Sequence, residues 1–133
     1  MAIEGLAHVG IAVNNIDEAI AFFRDKLGAK LDTSRTADGK LNFGLHLSAL
    51  VSVGSLKLEL MQPTRPGMGP VGKFLTERGE GIHHISLKVD NFSESKADFE
   101  ARGLTVMGEL GGVMAFIHPK TLMGILAEFT EIE

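Results

Sequence analysis

The stretch Gly81-Ile82-His83-His84-Ile85-Ser86-Leu87-Lys88-Val89-Asp90 alternates like a β-strand and has a counterpart near the start of the chain. That counterpart is Leu6-Ala7-His8-Val9-Gly10-Ile11-Ala12-Val13-Asn14. When the two are aligned, the corresponding residues are His8 with His84, Ile11 with Leu87, Val13 with Val89, and Asn14 with Asp90. The pairs lie more than half the chain apart. We therefore predict two copies of one module, each with a histidine in its first strand.

Each of these predicted strands, 6–13 and 82–89, has one apolar face. Side chains alternate along a strand, so residues two positions apart share a face. The apolar faces consist of Val9, Ile11 and Val13 in the first strand, and of Ile85, Leu87 and Val89 in the second. His8 and His84 are therefore expected opposite the core. His83 points to the other face from His84, and we expect it to be structural.

The last strand of each copy carries a glutamate at an equivalent position. Ser55-Leu56-Lys57-Leu58-Glu59-Leu60 aligns with Gly124-Ile125-Leu126-Ala127-Glu128-Phe129. A carboxylate in the middle of a strand is disfavoured unless it is paired, solvated or bound to a metal. Glu59 and Glu128 thus join the two histidines as candidate site residues.

Turn and capping signals supply the remaining elements. We predict a helix capped by Asn15 and ended by Gly28, and a second-copy helix over about 94–102 capped by Ser93. The other predicted strands are 41–53, 55–61, 104–107, 113–117 and 124–130, and a Pro- and Gly-rich linker precedes a bridging helix from Pro70 to Arg78. The prediction is an α+β fold in a single domain, with two βαβββ modules related by a pseudo-twofold and forming a curved mixed sheet around a metal pocket. Module 1 spans about 1–62, the linker and bridging helix 63–81, and module 2 about 82–133.

Composition excludes several classes of function. The chain has 133 residues, a formal net charge of −4 and no cysteine, so disulfides, thiolate nucleophiles and cysteine-ligated zinc are absent. No block of Lys or Arg suggests a nucleic-acid partner, and no apolar run approaches the ~18 residues of a membrane span. We expect a cytoplasmic protein without nucleic-acid or membrane partners.

Two imidazoles and two carboxylates suit a divalent ion such as Zn²⁺, Co²⁺, Ni²⁺, Mn²⁺ or Fe²⁺. Taken singly, a strand histidine is more often structural and a strand glutamate more often solvated. The recurrence of both residue types at matching places in the two copies favours a shared metal site instead. Coordination positions left open to substrate would permit Lewis-acid catalysis.

Several stretches resemble the vicinal oxygen chelate superfamily, which includes glyoxalases, dioxygenases and bleomycin resistance proteins, and most of all its methylmalonyl-CoA epimerase branch. They are His8-Val9-Gly10-Ile11-Ala12-Val13, Leu58-Glu59-Leu60-Met61-Gln62-Pro63, the run from Lys73 to Ile85, and Phe116-Ile117-His118-Pro119-Lys120. The resemblance implies the metal ligands His8, Glu59, His84 and Glu128, with Glu128 also a catalytic acid–base group. It further implies an acyl-CoA substrate, and we expect a homodimer.

The resemblance implies a metal-dependent 1,2-proton shift through a metal-stabilised enolate. Stereochemical inversion needs a second acid–base group. Epimerases carry an acid before the second long strand, but here that region reads Thr36-Ala37-Asp38-Gly39-Lys40-Leu41, so Asp38 and His46 remain candidates. The alternatives are a glyoxalase-like lyase or isomerase and a metal-free protein that binds a small molecule. We expect His118 to be structural.

Overall fold

The computed structural model describes residues 3–132, which form three α-helices and nine strands. In chain order these are β1 (Ile3–Ala12), α1 (Ile16–Leu27), β2 (Lys30–Leu31), β3 (Lys40–Asn42), β4 (His46–Val53), β5 (Leu56–Pro63), α2 (Gly69–Arg78), β6 (Gly81–Val89), α3 (Phe92–Ala101), β7 (Val106–Leu110), β8 (Met114–Ile117) and β9 (Ala127–Thr130), with a 3₁₀ turn at Pro119–Thr121. Strand pairs are both parallel and antiparallel. The predicted α+β class with a mixed sheet is confirmed. Among residues 3–132, no helix has the length and apolarity needed to cross a bilayer.

The chain divides into two compact units. The middle unit is Val9–His83, and the terminal unit combines the residues up to His8 with those from His84 onward. The divisions fall inside β1, between His8 and Val9, and inside β6, between His83 and His84. The module bounds expected from the sequence, and the assignment of a single domain, stay predictions.

The middle unit has the strand order β2-β4-β5-β1, with β3 paired to β4. Helix α1 covers one face of these strands, and the buried residues there are Val13, Ile16, Ala29, Ala49, Val51, Leu58 and Leu60. The predicted ends of α1 are confirmed, because Asn15 Oδ1 accepts the Glu18 amide at 3.0 Å and Gly28 has φ 67°. Helix α2 packs on a second cluster with Val71, Phe74 and Leu75 against Ala12 and Met61.

The terminal unit has the strand order β6-β9-β8-β7. Its core consists of Val89, Phe92, Phe99, Ala115, Ile117, Ala127 and Phe129. The Phe129 ring stacks on Phe92 at 5.1 Å between centroids and meets Phe99 edge-on at 5.0 Å. Phe92 and Phe99 both belong to α3, so this aromatic trio fixes the helix on the sheet.

The two units repeat one pairing scheme, which confirms the duplication inferred from the sequence. Strand β1 runs parallel to β5 with Gly10 opposite Glu59, and β6 runs parallel to β9 with Ser86 opposite Glu128. Residues aligned in the two sequence copies therefore occupy equivalent positions in the two strand pairs. Each glutamate faces the same place relative to the histidine-bearing strand of its copy.

The predicted strand 41–53 is wrong as a single element. The chain forms the short β3, turns at Phe43–Leu45, and returns as β4. Gly44 has φ 90°, and its amide donates to Asn42 Oδ1 at 2.7 Å. The positive φ of Gly44 and the hydrogen bond to the Asn42 side chain turn the backbone here, so the strand ends at Asn42.

The cap of α3 and the extents of the last strands also differ from expectation. Asn91, not Ser93, caps α3, because the Asn91 side chain accepts the Glu94 amide at 2.9 Å and Ser93 already lies inside the helix. Strand β7 begins two residues later than predicted and continues to Leu110 through an irregular register. Strand β9 begins only at Ala127, after a turn in which Gly124 has φ 86°, and Ile125 is 47% exposed rather than in the core.

Candidate active site

His8 and His84 face each other in the terminal unit. Their Nε2 atoms are 3.0 Å apart, and the rings meet edge to face with centroids 5.2 Å apart. Both residues are only 5% exposed. Two neighbouring strands, β1 and β6, hold these imidazoles on the side predicted for them. Burying two imidazoles in contact is unfavourable unless each ring nitrogen has a partner.

Glu128 lies beside His8 in the same unit. Its Oε1 lies 3.9 Å from His8 Nε2, and the Ser86 hydroxyl donates a hydrogen bond to the same oxygen at 2.8 Å. Ser86 is fully buried and sits opposite Glu128 in the β6–β9 register. The serine therefore fixes the carboxylate, which is 12% exposed, beside the imidazoles.

Glu59 lies in the middle unit and also accepts a hydrogen bond from a serine. The Ser48 hydroxyl donates to Glu59 Oε2 at 2.8 Å, and Ser48 is buried while Glu59 is half-buried. Of the four predicted ligands, the terminal unit thus holds His8 and His84 in contact, with Glu128 beside His8. Glu59 stands at the matching place of the other repeat.

The donor set fits a divalent ion. A metal–nitrogen distance of about 2.0–2.1 Å and an angle of about 90–110° at the ion place two nitrogen ligands about 2.8–3.4 Å apart. The 3.0 Å separation of the two Nε2 atoms falls in that range. A carboxylate oxygen beside them supplies negative charge, and nitrogen–oxygen sets of this kind suit Zn²⁺, Co²⁺, Ni²⁺, Mn²⁺ and Fe²⁺. The cluster of His8, His84 and Glu128 is therefore a candidate metal centre.

Two further histidines lie in the middle unit. His46 is half-buried at the start of β4, and burial lowers its pKa although the charge of Glu59 opposes that change. His83 packs edge-on against Phe74 of α2 with ring centroids 5.2 Å apart. Burial lowers the pKa of His83 as well, the charge of Glu59 opposes this, and His46 and Arg78 reinforce it. Both imidazoles are therefore biased towards the neutral form and feel the same carboxylate.

Asp38 and His118 have local structural tasks. The exposed Asp38 carboxylate accepts the Lys40 amide at 3.0 Å, and this hydrogen bond lowers the pKa of Asp38. His118 Nδ1 accepts the Lys120 amide at 3.0 Å and caps the 3₁₀ turn, as expected. Neither geometry suits a group that exchanges protons with a bound substrate.

Comparison with known proteins identifies the family of the chain. The family model described as the glyoxalase, bleomycin resistance protein and dioxygenase superfamily matches residues 7–115. The chain belongs to that superfamily. The uncharacterized protein YqjC of Bacillus subtilis is 33% identical over 133 residues, covering 95% of this chain and 91% of that protein.

Solved structures of this superfamily include close structural matches. The crystal structure of methylmalonyl-CoA epimerase from Mycobacterium tuberculosis has a TM-score of 0.82 and 29% identity, with 96% of this chain and 87% of that chain covered. A methylmalonyl-CoA epimerase in complex with methylmalonyl-CoA and NH₄⁺ has a TM-score of 0.78 and 27% identity, with 96% and 94% covered. The expectation of an enzyme is confirmed by these relatives.

The sequence did not identify the two serines that orient the glutamates. A signal was present in each copy, since Ser86 follows His84 by two positions and shares its strand face. Ser48 follows His46 in the same way. A small hydroxyl side chain among strand residues, on the face opposite the core, is a reason to look for a carboxylate partner.

Proposed function

We propose that the chain is a metal-dependent epimerase that inverts the α-carbon of a 2-carboxyacyl-CoA thioester such as methylmalonyl-CoA. The observation that carries this proposal is the buried cluster of His8 and His84 with the serine-anchored carboxylate of Glu128. A bound divalent cation would stabilise the negative charge that develops on the thioester oxygen when the α-proton leaves.

The proposed ligands are His8, His84 and Glu128 of the terminal unit, with Glu59 of the middle unit as the fourth. The case for Glu59 rests on its equivalence to Glu128. It occupies the same register position relative to β1 that Glu128 occupies relative to β6, and each glutamate accepts a hydrogen bond from a buried serine. Two carboxylates balance the two charges of the ion.

Glu128 is proposed as one of the two proton-transfer groups. Its Oε1 accepts the Ser86 hydroxyl, which fixes the carboxylate in one orientation. A carboxylate held in this way loses little side-chain conformational entropy when it transfers a proton to or from the α-carbon.

The proposed substrate class, an acyl-CoA, is inferred from the relatives, since methylmalonyl-CoA is present in one of the related epimerase structures. The carboxylate next to the thioester offers a second oxygen to the proposed ion, which suits a site with open coordination positions. A homodimer and a cytoplasmic location stay predictions.

Incubation with (2R)- and (2S)-methylmalonyl-CoA in D₂O tests the proposal. We expect α-deuterium incorporation and interconversion of the epimers by protein purified without chelators and containing stoichiometric metal. Failure of both epimers to exchange with metal-loaded protein would remove the epimerase proposal. Turnover of a hemithioacetal instead would favour the glyoxalase-like alternative.

The variant Glu128→Gln separates the roles of this residue. We expect inversion to fall by about 10²–10⁴-fold, the usual contribution of a positioned acid–base group. Metal content, measured by elemental analysis, shows whether the loss arises from proton transfer or from coordination. A variant that retains metal and full inversion would exclude Glu128 as the proton-transfer group.

A further inference from the structure

The sheet face of the terminal unit that carries Glu128 has a polar half and an apolar half. Residues paired across neighbouring strands share a face, and the register pairs Glu128 with Ser86 on one side and with Phe116 on the other. Met107 pairs with Phe116 in turn. The opposite face, which includes Ala127, is the core beneath α3. In the strand order β6-β9-β8-β7, the face therefore changes from a hydroxyl and a carboxylate to an aromatic ring and a thioether.

The Phe116 ring leans over the strand that carries Glu128. Its edge-on contact with the imidazole of His84 has ring centroids 6.2 Å apart. Phe116 lies on β8 and His84 on β6, with β9 between them, and two strand spacings amount to about 9.5 Å. Since the centroids are closer than the strands, the two rings approach each other above β9. The phenyl ring thus lies next to the carboxylate of Glu128.

Strand β7 leaves space for the ring on its other side. Gly108 has φ 66°, and the register with β8 is irregular between Met107 and Leu110. A Cβ atom added at Gly108 would lie 3.4 Å from Cδ2 of Phe116, so a side chain at this position would reach the ring. The ring is therefore confined between the imidazole and the backbone of β7.

We propose that Phe116 receives the α-alkyl group of the substrate and determines the size of the group that the site accepts. This inference rests on the proposed function, in which Glu128 transfers the α-proton. A carbon that exchanges a proton with a carboxylate lies about 3–3.5 Å from it. The alkyl group is bonded to the same carbon, so it lies within van der Waals reach of a side chain next to Glu128. Ser86 is one neighbour, but its hydroxyl is committed to Glu128 Oε1, whereas Phe116 is apolar.

Two methionines extend the phenyl ring into an apolar wall, which we define as Phe116, Met114 and Met107. Met114 precedes Phe116 by two positions on β8 and shares its face, and both side chains are half-buried. Met107 is 38% exposed. Apolar side chains on the face opposite the core add nothing to that core, but they offer contact to an apolar ligand group. The apolar wall therefore suits a small alkyl substituent.

The variant Phe116→Leu tests the inference, with Phe22→Leu, at an exposed ring on α1, as the matched control. Each metal-loaded protein is given methylmalonyl-CoA and ethylmalonyl-CoA, and kcat/KM for inversion is measured with both substrates. One methylene group in an apolar pocket typically changes kcat/KM by about 10–200-fold. We expect Phe116→Leu to raise the ratio of kcat/KM for the ethyl substrate to that for the methyl substrate by at least about 10-fold. The control should keep the wild-type ratio.

The ratio separates contact with the alkyl group from a positioning effect on His84. A displaced imidazole would lower kcat/KM for both substrates by the same factor and leave their ratio unchanged. Binding gives the same comparison without turnover, since propionyl-CoA and butyryl-CoA carry the α-methyl and α-ethyl groups. Calorimetry with metal-free protein should show a shift of preference towards butyryl-CoA in Phe116→Leu. Met107→Ala enlarges the apolar wall from β7 and should change both preferences in the same direction.

The outcomes distinguish this inference from the function on which it rests. An unchanged ratio in Phe116→Leu would overturn the role of Phe116 and leave an epimerase, and so would an equal change in Phe22→Leu. If wild-type protein inverts neither substrate, the epimerase is removed, and the role of Phe116 is then decided by the preference between propionyl-CoA and butyryl-CoA. If Phe116→Leu does not fold, Met107→Ala decides, and a wild-type ratio in that variant would contradict the apolar wall.

Discussion

Individual serine hydroxyls orient the two glutamates of the repeat. Ser86 donates to Glu128 and Ser48 donates to Glu59, each at 2.8 Å. The donors come from different neighbours, since Ser86 lies on the parallel strand β6 and Ser48 on the antiparallel strand β4. Each carboxylate is thus held by one hydroxyl, but the donor comes from a different neighbouring strand in each repeat.

Replacement of Ser86 by Ala removes the hydroxyl that orients Glu128 in the candidate metal centre. The partly buried carboxylate of Glu128 loses its donor, and groups that orient a metal ligand typically contribute about 10–100-fold in metal affinity. We expect Ser86→Ala to weaken Co²⁺ binding by about that factor, measured by competition with a chelating dye. The control is Ser93→Ala, at an exposed serine of α3. Unchanged affinity in Ser86→Ala would indicate that Glu128 is not a ligand.

At the level of helices and strands, local chemistry predicted some boundaries and tertiary structure set others. Asn15 and Gly28 determine the two ends of α1, and both residues were predicted from the sequence to do so. For α3 the sequence analysis predicted Ser93 as the cap, but Asn91, two positions earlier, takes this role. Asn91 caps because its backbone is extended, with φ −144°, while Phe92 is drawn into the aromatic core beneath the helix. That choice depends on packing with Phe129, which is distant in sequence.

The strand errors have a similar origin. In the sequence, the alternation of polar and apolar residues continues through Asn42–Leu45. In the structure, Gly44 has a positive φ and the strand is interrupted there. At the end of the chain, apolar Ile125 fitted the strand pattern although the preceding turn holds it outside the sheet. Periodicity shows which residues suit a strand, whereas the neighbouring turn determines where the strand begins.

The cap of α3 provides a matched pair of variants. Asn91→Ala removes the side-chain acceptor of the Glu94 amide, and loss of an N-cap typically costs about 1 kcal/mol. Ser93→Ala changes an exposed position inside the helix and should alter the free energy of unfolding by less than about 0.5 kcal/mol. Urea denaturation of both variants measures the difference. Equal effects would contradict the cap assigned to Asn91.

For the molecule as a whole, duplication made much of the candidate site predictable. Two histidines and two glutamates recur at matching positions, and the two strand pairs have equivalent registers. The contact between the imidazoles could not be read from the sequence, because it depends on the pairing of strands far apart in the chain. The same reason applies to Ser86, which is 42 residues from Glu128, but not to Ser48, which is only 11 residues from Glu59.

Metal binding should stabilise both units if Glu59 and Glu128 hold the same ion. A ligand at 100 times its dissociation constant stabilises the folded state by about 2.7 kcal/mol, and the protection appears wherever its ligands lie. We expect added Co²⁺ to slow amide hydrogen exchange in β9 around Glu128 and equally in β5 around Glu59. Exchange mass spectrometry of metal-free and metal-loaded protein measures this segment by segment.

Glu59→Gln should reduce the protection of β5, whereas Glu18→Gln, at an exposed site on α1, should not. Protection restricted to the terminal unit would show that Glu59 is not a ligand, and His8, His84 and Glu128 would then hold the ion without it.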